Sequence, residues 1–208
     1  MIETGTAAPH RLATTGWVVI GALGVAALAH AYTIVDSARG PATGTGEVVA
    51  SESSFTLGIF TNADTQSIVL NAARLLVLAA LIVWLYLVRD NFDRRDETSV
   101  RWPKAFTIAG WFIPVANIVI PQQVVKELYA RSNPDRSWTP TGVVSSWWLL
   151  LLISLFASTE TKVYADGFKD VHTPVEVAYV TGGAGILAAL LAAFIVWRIS
   201  TWQDNAQV

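Results

Sequence analysis

Asn117 is the residue whose setting comes nearest to a chemical site. It lies in Gly110-Trp111-Phe112-Ile113-Pro114-Val115-Ala116-Asn117-Ile118-Val119-Ile120-Pro121, an apolar stretch broken by two prolines. A proline inside a helix removes a backbone N–H and frees a carbonyl, which in lipid must find a partner in protein or in a water-filled cavity. Freed carbonyls and the Asn117 amide can bind a cation or a polar headgroup; alternatively, the amide caps the break. The capping role is favoured, because an Asn side chain suits the termination of backbone groups. Trp111, Pro114, Asn117 and Pro121, with Lys126 and Glu127 just beyond, form the candidate structural or ligand-binding set. Lys126 and Glu127 are read as solvating a surface helix, with Lys126 able to meet an anionic phospholipid.

Other charged groups have simpler readings. Arg89, Arg94, Arg95, Arg101 and Lys104 are candidates for contact with lipid or a partner, although anchoring at the cytoplasmic face already accounts for them. Arg74 and Glu176 form a candidate ion pair near the outer surface. His30 and His172 are too few for a metal site, which needs three or four ligands. No Ser-His-Asp order, Gly-rich phosphate loop or His-Glu-x-x-His motif is present, and the chain has no cysteine. No catalytic, metal or cofactor-binding residue is therefore expected, and the chain does not read as an enzyme.

The elements that carry these residues are those of an integral membrane protein. Hydrophobic residues make up 53% of the 208 and charged ones 14%, against about a quarter in soluble domains. The net charge of −2 gives no nucleic-acid signal. A polar leader, 1–15, precedes an apolar run, 16–35, which spans about 30 Å as a helix, the thickness of a hydrocarbon core. Small residues around Ala29-His30-Ala31 offer a competing reading, cleavage of 1–31 as a signal peptide, but the apolar run continues past them and favours a retained helix.

Residues 36–67 read as an outer linker of Gly, Ala, Ser and Thr, too polar to bury much surface apart from an apolar patch at 55–60. A second helix, 68–88, leads to a charged cytoplasmic loop, 89–104. The proline-broken element, 105–131, ends in amphipathic spacing, with Val124, Val125, Leu128 and Tyr129 on one face and Pro121 at the first helical position. A third helix, 142–159, an outer loop, 160–174, a fourth helix, 175–199, and a tail, 200–208, complete one membrane domain. Gly182, Gly183 and Gly185 in the fourth helix allow close approach of a neighbour.

Lys and Arg set orientation. Ten of the fourteen basic residues fall in the leader, in 89–104, in 126–136 and at Arg198, so these belong inside. This places both termini in the cytoplasm and gives four crossings. A crossing at 105–121 would push Lys126, Arg131 and Arg136 outside, so that element is expected to be re-entrant or interfacial. Most tryptophans then fall near cytoplasmic helix ends, at headgroup level. A faint parallel repeat links Val83-Trp84 with Asp90-Asn91 to Val196-Trp197 with Asp204-Asn205. The fold class is all-α: four transmembrane helices in two hairpins, plus the proline-broken element.

Residues 84–91, the run from Trp111 to Asn117 with Pro121, Val125 and Glu127-Leu128, and the Trp147-Trp148 pair resemble the bacterial membrane family catalogued as domain of unknown function 4328. The likeness covers most of the chain, from the first helix to the last. It implies a four-helix domain of a bacterial, actinobacterial, plasma membrane and implies no activity. The long acidic outer linker and the Gly-rich last helix depart from the family pattern. The functional expectation is a non-enzymatic scaffold or interaction protein whose cytoplasmic face meets lipid, a protein partner or a second copy of itself. The alternative is a small transporter or channel subunit with a polar site at the proline-broken element.

Overall fold

The structure, a computed structural model, describes residues 8–40, 47–57, 65–95, 100–113, 115–135 and 141–206. Pro114, Arg136 and Trp138 lie outside the described residues, as does 58–60 of the apolar patch. In chain order the elements are α1 (Ala13–Ala38), β1 (Val48–Leu57), α2 (Thr65–Arg94), α3 (Phe106–Ala109), α4 (Ala116–Ser132), α5 (Gly142–Ser154), β2 (Phe156–Tyr164), β3 (Lys169–His172) and α6 (Val175–Asn205). The protein is mostly helical, and α1, α2 and α6 are long and apolar enough to cross a membrane. Helix α5 has 13 residues and reaches about 20 Å.

The all-α expectation needs correction, because the described residues include a three-stranded antiparallel sheet in the order β1-β2-β3. The supposed linker supplies β1, which pairs from Val48↔Tyr164 to Leu57↔Phe156 with an irregularity between Val48 and Ala50. Both partners are rich in Val, Thr and Ser, and β1 is stabilised by ladder hydrogen bonds rather than by burial. Residues 48–54 are all exposed, and the Ser54 and Thr159 hydroxyls meet across the pair at 2.7 Å. Burial was thus the wrong criterion for this stretch. The helix expected over 142–159 stops at Ser154, where the chain passes into β2. The β2-β3 connection turns at Gly167, whose φ of 84° suits glycine, with the Asp166 side chain accepting from Phe168 N at 2.9 Å.

The chain forms two compact units. The first comprises 1–23, 77–146 and 191–208; the second, 24–76 and 147–190. In the first, Leu12, Val19, Trp84, Leu85, Val88, Phe92, Leu128 and Ile199 are almost fully enclosed. Gly16 packs so closely on Ser200 that an added Cβ would lie 2.7 Å from its Oγ, the atom that accepts the Trp84 Nε1 hydrogen bond at 3.0 Å. In the second unit, the close approach expected of the α6 glycines occurs against α1: Gly182 faces Ile34, and Gly185 lies against the His30 ring. Trp147 and Trp148 meet edge to face with centroids 5.5 Å apart and are buried. They are core residues rather than the headgroup anchors expected, because they are enclosed by the protein, as is Trp84.

The proline-broken stretch folds as a helical hairpin, α3 then α4. Gly110 lets the two helices approach: an added Cβ would meet Phe106 O at 2.8 Å and Ile120 Cγ2 at 2.9 Å. Helix α4 starts five residues before Pro121, so Pro121 lies inside it rather than at its first position. The start is set at Val115, whose φ of 67° is rare for a β-branched residue and costs about 1–3 kcal/mol. The face expected of α4 is the one observed, with Val124, Val125, Leu128 and Tyr129 buried.

Candidate functional site

Polar residues at the helix ends of the first unit form a connected network. Asn91, fully enclosed on α2, accepts from His10 N at 2.6 Å and donates through Nδ2 to His10 O at 2.9 Å and Gln203 Oε1 at 3.0 Å. Gln203 Nε2 donates to Ser132 Oγ at 3.0 Å, which ties the end of α4 to α6. Arg95 Nη2 donates to Gln203 O at 2.8 Å. Asp204 accepts from Leu12 N at 2.8 Å and Ala13 N at 2.9 Å, and so satisfies N–H groups at the start of α1 that no helical carbonyl can reach. The leader is therefore held by Asp90 and Asn91 from α2 and by Asp204 from α6. These are residues of the faint repeat, whose two copies converge on one strap.

Asp90 gathers charge. It accepts from Arg94 Nε at 2.5 Å, from His10 Nε2 at 2.9 Å and from Lys104. Lys104 also meets Asp93 at 3.2 Å and lies over the Tyr86 ring at 5.4 Å. The Asp90 carboxylate hydrogen bonded to Lys104 raises its pKa above the ordinary lysine value. Arg89 donates to Trp102 O at 3.0 Å and pairs with Asp93. Arg101 is exposed, with its guanidinium over Trp102 at 5.3 Å. Of the five basic residues expected to be available for lipid or a partner, Arg89, Arg94, Arg95 and Lys104 are engaged within the protein.

Glu127 corrects its reading as a solvating residue. Its carboxylate accepts from Arg101 N at 2.7 Å and Trp102 N at 3.3 Å, while Arg131 Nε donates to it at 3.0 Å. Glu127 thus clamps the 100–102 backbone onto α4. Lys126 is exposed. Asn117 is exposed in the first turn of α4, and no side-chain hydrogen bond caps that helix start. The break is closed instead by its own backbone: Ala109 O accepts from Phe112 and Ile113, Ile113 O from Asn117, and Val115 O from Ile118. Asn117 therefore does not cap through its amide, and the carbonyls of Ala109, Ile113 and Val115 are occupied. Trp111 lies half-buried beside this turn.

In the second unit Arg74 does not pair with Glu176, which is exposed, and among the described residues no ion pair joins them. Arg74 Nη2 donates instead to Ser154 O at 2.6 Å, at the C-terminus of α5, where carbonyls lack helical partners and a cation is favoured. Arg74 Nη1, Asn71 Oδ1 and Ser37 Oγ are buried without a hydrogen-bond partner. His30 is buried in a helix, while His172 on β3 meets Asp170 at 2.8 Å and Glu160 at 3.5 Å. Among the described residues no group of His, Cys, Asp or Glu could hold a metal ion.

Sequence reading missed the roles of His10, Asn91, Gln203 and Asp204. The signal available was the repeated Asp-Asn after each Trp, which marks two helix ends alike without indicating what they hold.

The protein is mostly helical, and its three long apolar helices are compatible with a membrane protein. The family model described as domain of unknown function (DUF4328) matches residues 61–201, more than half of the chain, and the chain belongs to that family. Helix α1 and β1 precede the matched residues, so the family likeness begins later than the first helix. No curated protein and no solved structure gives a significant match.

Proposed function

We propose that this is a non-enzymatic, multi-pass plasma-membrane protein whose cytoplasmic side holds the α3-α4 hairpin against the bilayer as a contact surface for lipid or a protein partner. The observation that carries the reading is that both ends of the hairpin are tied to one polar network. Lys104, before α3, meets Asp90, and Ser132, ending α4, meets Gln203. A segment anchored this way returns to the side it left, which supports a re-entrant or interfacial element rather than a crossing. The leader and the end of α6 join the same network, which supports termini on one side and an even number of crossings. Helix α5 is then the fourth, short crossing. The leader's hydrogen bonds also support a retained first helix.

Between its anchors the hairpin exposes Ile108, Phe112, Ile113, Val115, Ile118 and Val119, with Val115 78% exposed. Exposed apolar residues in one short segment favour lipid contact. The chain has no cysteine, so single cysteines can be introduced and labelled directly. Environment-sensitive labels at Val115→Cys and Ile118→Cys, in protein reconstituted into vesicles, are expected to be quenched by lipids carrying nitroxide on their chains. A water-like spectrum without quenching would sink the reading. Labelling of Lys126→Cys from outside intact cells would likewise rule out the non-crossing hairpin. The transporter alternative is less favoured, because the exposed side chains of the hairpin are mostly apolar.

A further inference from the structure

Among the described residues of the first unit, Arg198 is a half-buried basic side chain set among aromatic rings without a counter-charge. It lies one turn from Phe194 and one turn from Trp202 on α6. Its guanidinium carbon is 4.6 Å from the Trp202 ring centroid and 5.9 Å from those of Phe194 and Trp197. Trp202 is itself held edge to face against Tyr129 at 5.1 Å. The Arg198 Nε is buried with no hydrogen-bond partner, and no hydrogen bond or ion pair engages its guanidinium among the described residues.

The neighbouring cations are in a different state. Arg89, Arg94, Lys104 and Arg131 each meet a carboxylate. Asp204, the acidic residue nearest to Arg198 on α6, has both oxygens taken by the N–H groups of Leu12 and Ala13. Arg101 and Lys126 are exposed and open to water, whereas Arg198 is partly enclosed. A guanidinium with a stacked face keeps its edge for acceptors, and its planar fork matches two oxygens of a phosphate. The Nε N–H is enclosed, so the terminal N–H groups of this half-buried side chain are the ones that meet an oxyanion.

We propose that the Arg198 guanidinium, stacked on Trp202 and flanked by Phe194 and Trp197, binds a phosphate oxyanion carried by a phospholipid headgroup. A lipid is favoured over free phosphate because Phe194 and Trp197 each present large apolar surface beside the cation, 41% and 46% exposed. Such rings suit the glycerol and upper acyl region, and indoles favour this depth. The site rests on the membrane reading above, and it moves lipid-headgroup recognition from the paired basic loop to the end of α6.

The test uses the intact protein, delipidated in detergent and titrated with phosphatidylglycerol while bound lipid is counted by native mass spectrometry. The wild type is expected to retain one tightly held lipid. Arg198→Gln is expected to weaken retention about tenfold, and Arg198→Lys to fall between, since it keeps charge but loses the fork. Arg39→Gln, an exposed control, is expected to bind as the wild type does. Millimolar inorganic phosphate is expected not to displace the lipid; displacement would make the ligand a free oxyanion and overturn the headgroup source. Equal retention by wild type and Arg198→Gln, with matching thermal transitions, would overturn the site. Should Arg198→Gln lose its transition, Arg198→Lys carries the comparison. Lipid binding indifferent to Arg198 alongside quenched labels at Val115 and Ile118 defeats this site alone, whereas unquenched labels defeat the membrane reading.

Discussion

Asn91 and Asn71 lie on the same helix and fare differently. In the first unit Asn91 is fully enclosed and uses both ends of its amide, holding the leader and Gln203. In the second unit the Asn71 Oδ1 is buried without a partner, and so are Arg74 Nη1 and Ser37 Oγ. A buried polar group is worth about 1 kcal/mol net when paired and costs about 1–3 kcal/mol when it is not. The same residue type therefore secures one region and burdens the other. The first unit uses polarity to join the leader, α2, α4 and α6; the second relies on small residues that let α1 and α6 come close.

Substitutions can break or sharpen this contrast. Asn91→Leu should have the largest effect, destabilising the protein by about 3 kcal/mol, because it strands His10 backbone groups and the Gln203 amide. A thermal melt in detergent micelles would register the loss, and a shift within error would mean the network contributes little. Gly182→Ala comes next, at about 2 kcal/mol, since the new Cβ would meet Ile34 Cγ1 at 2.7 Å and His30 O at 3.3 Å. If this variant melts with the wild type, close packing is not what holds the second unit.

Glu127→Gln should cost about 1 kcal/mol, as the amide keeps one acceptor but loses the charge that meets Arg131 and two N–H groups. Faster hydrogen exchange at Arg101 and Trp102 would report it, and unchanged exchange would remove Glu127 as the clamp. Asn71→Leu should be smallest, neutral or stabilising by up to about 1 kcal/mol. A loss comparable to that of Asn91→Leu would show that Asn71 has a partner after all, and the contrast would collapse.

Helices α1, α2 and α6 were legible because each carries about twenty apolar residues, a pattern that depends on nothing else in the chain. The buried face of α4 was legible for the same reason: Val124, Val125, Leu128 and Tyr129 recur at helical spacing. Strand β1 was not, because its partners in β2 lie about a hundred residues away and its side chains are mostly exposed. Glu127 was misread because its acceptors' partners are backbone N–H groups, which every sequence contains everywhere. Arg74 was assigned to Glu176 by sign of charge, whereas its guanidinium is used by a carbonyl at the end of α5, a terminus that the continuous apolar spelling of 147–153 conceals. Of the candidate site, the apolar spelling around the break was readable, and the network holding its ends was not.

The Asp204 clamp also has a consequence for synthesis. Asp204 follows Leu12 by 192 residues. At a translation rate of about 5–20 residues per second, the start of α1 waits roughly 10–40 s for its acceptor to be made. For that time the leader has no carboxylate from α6 to hold it, and the first unit cannot close. Its assembly therefore waits until Asp204 has been synthesised.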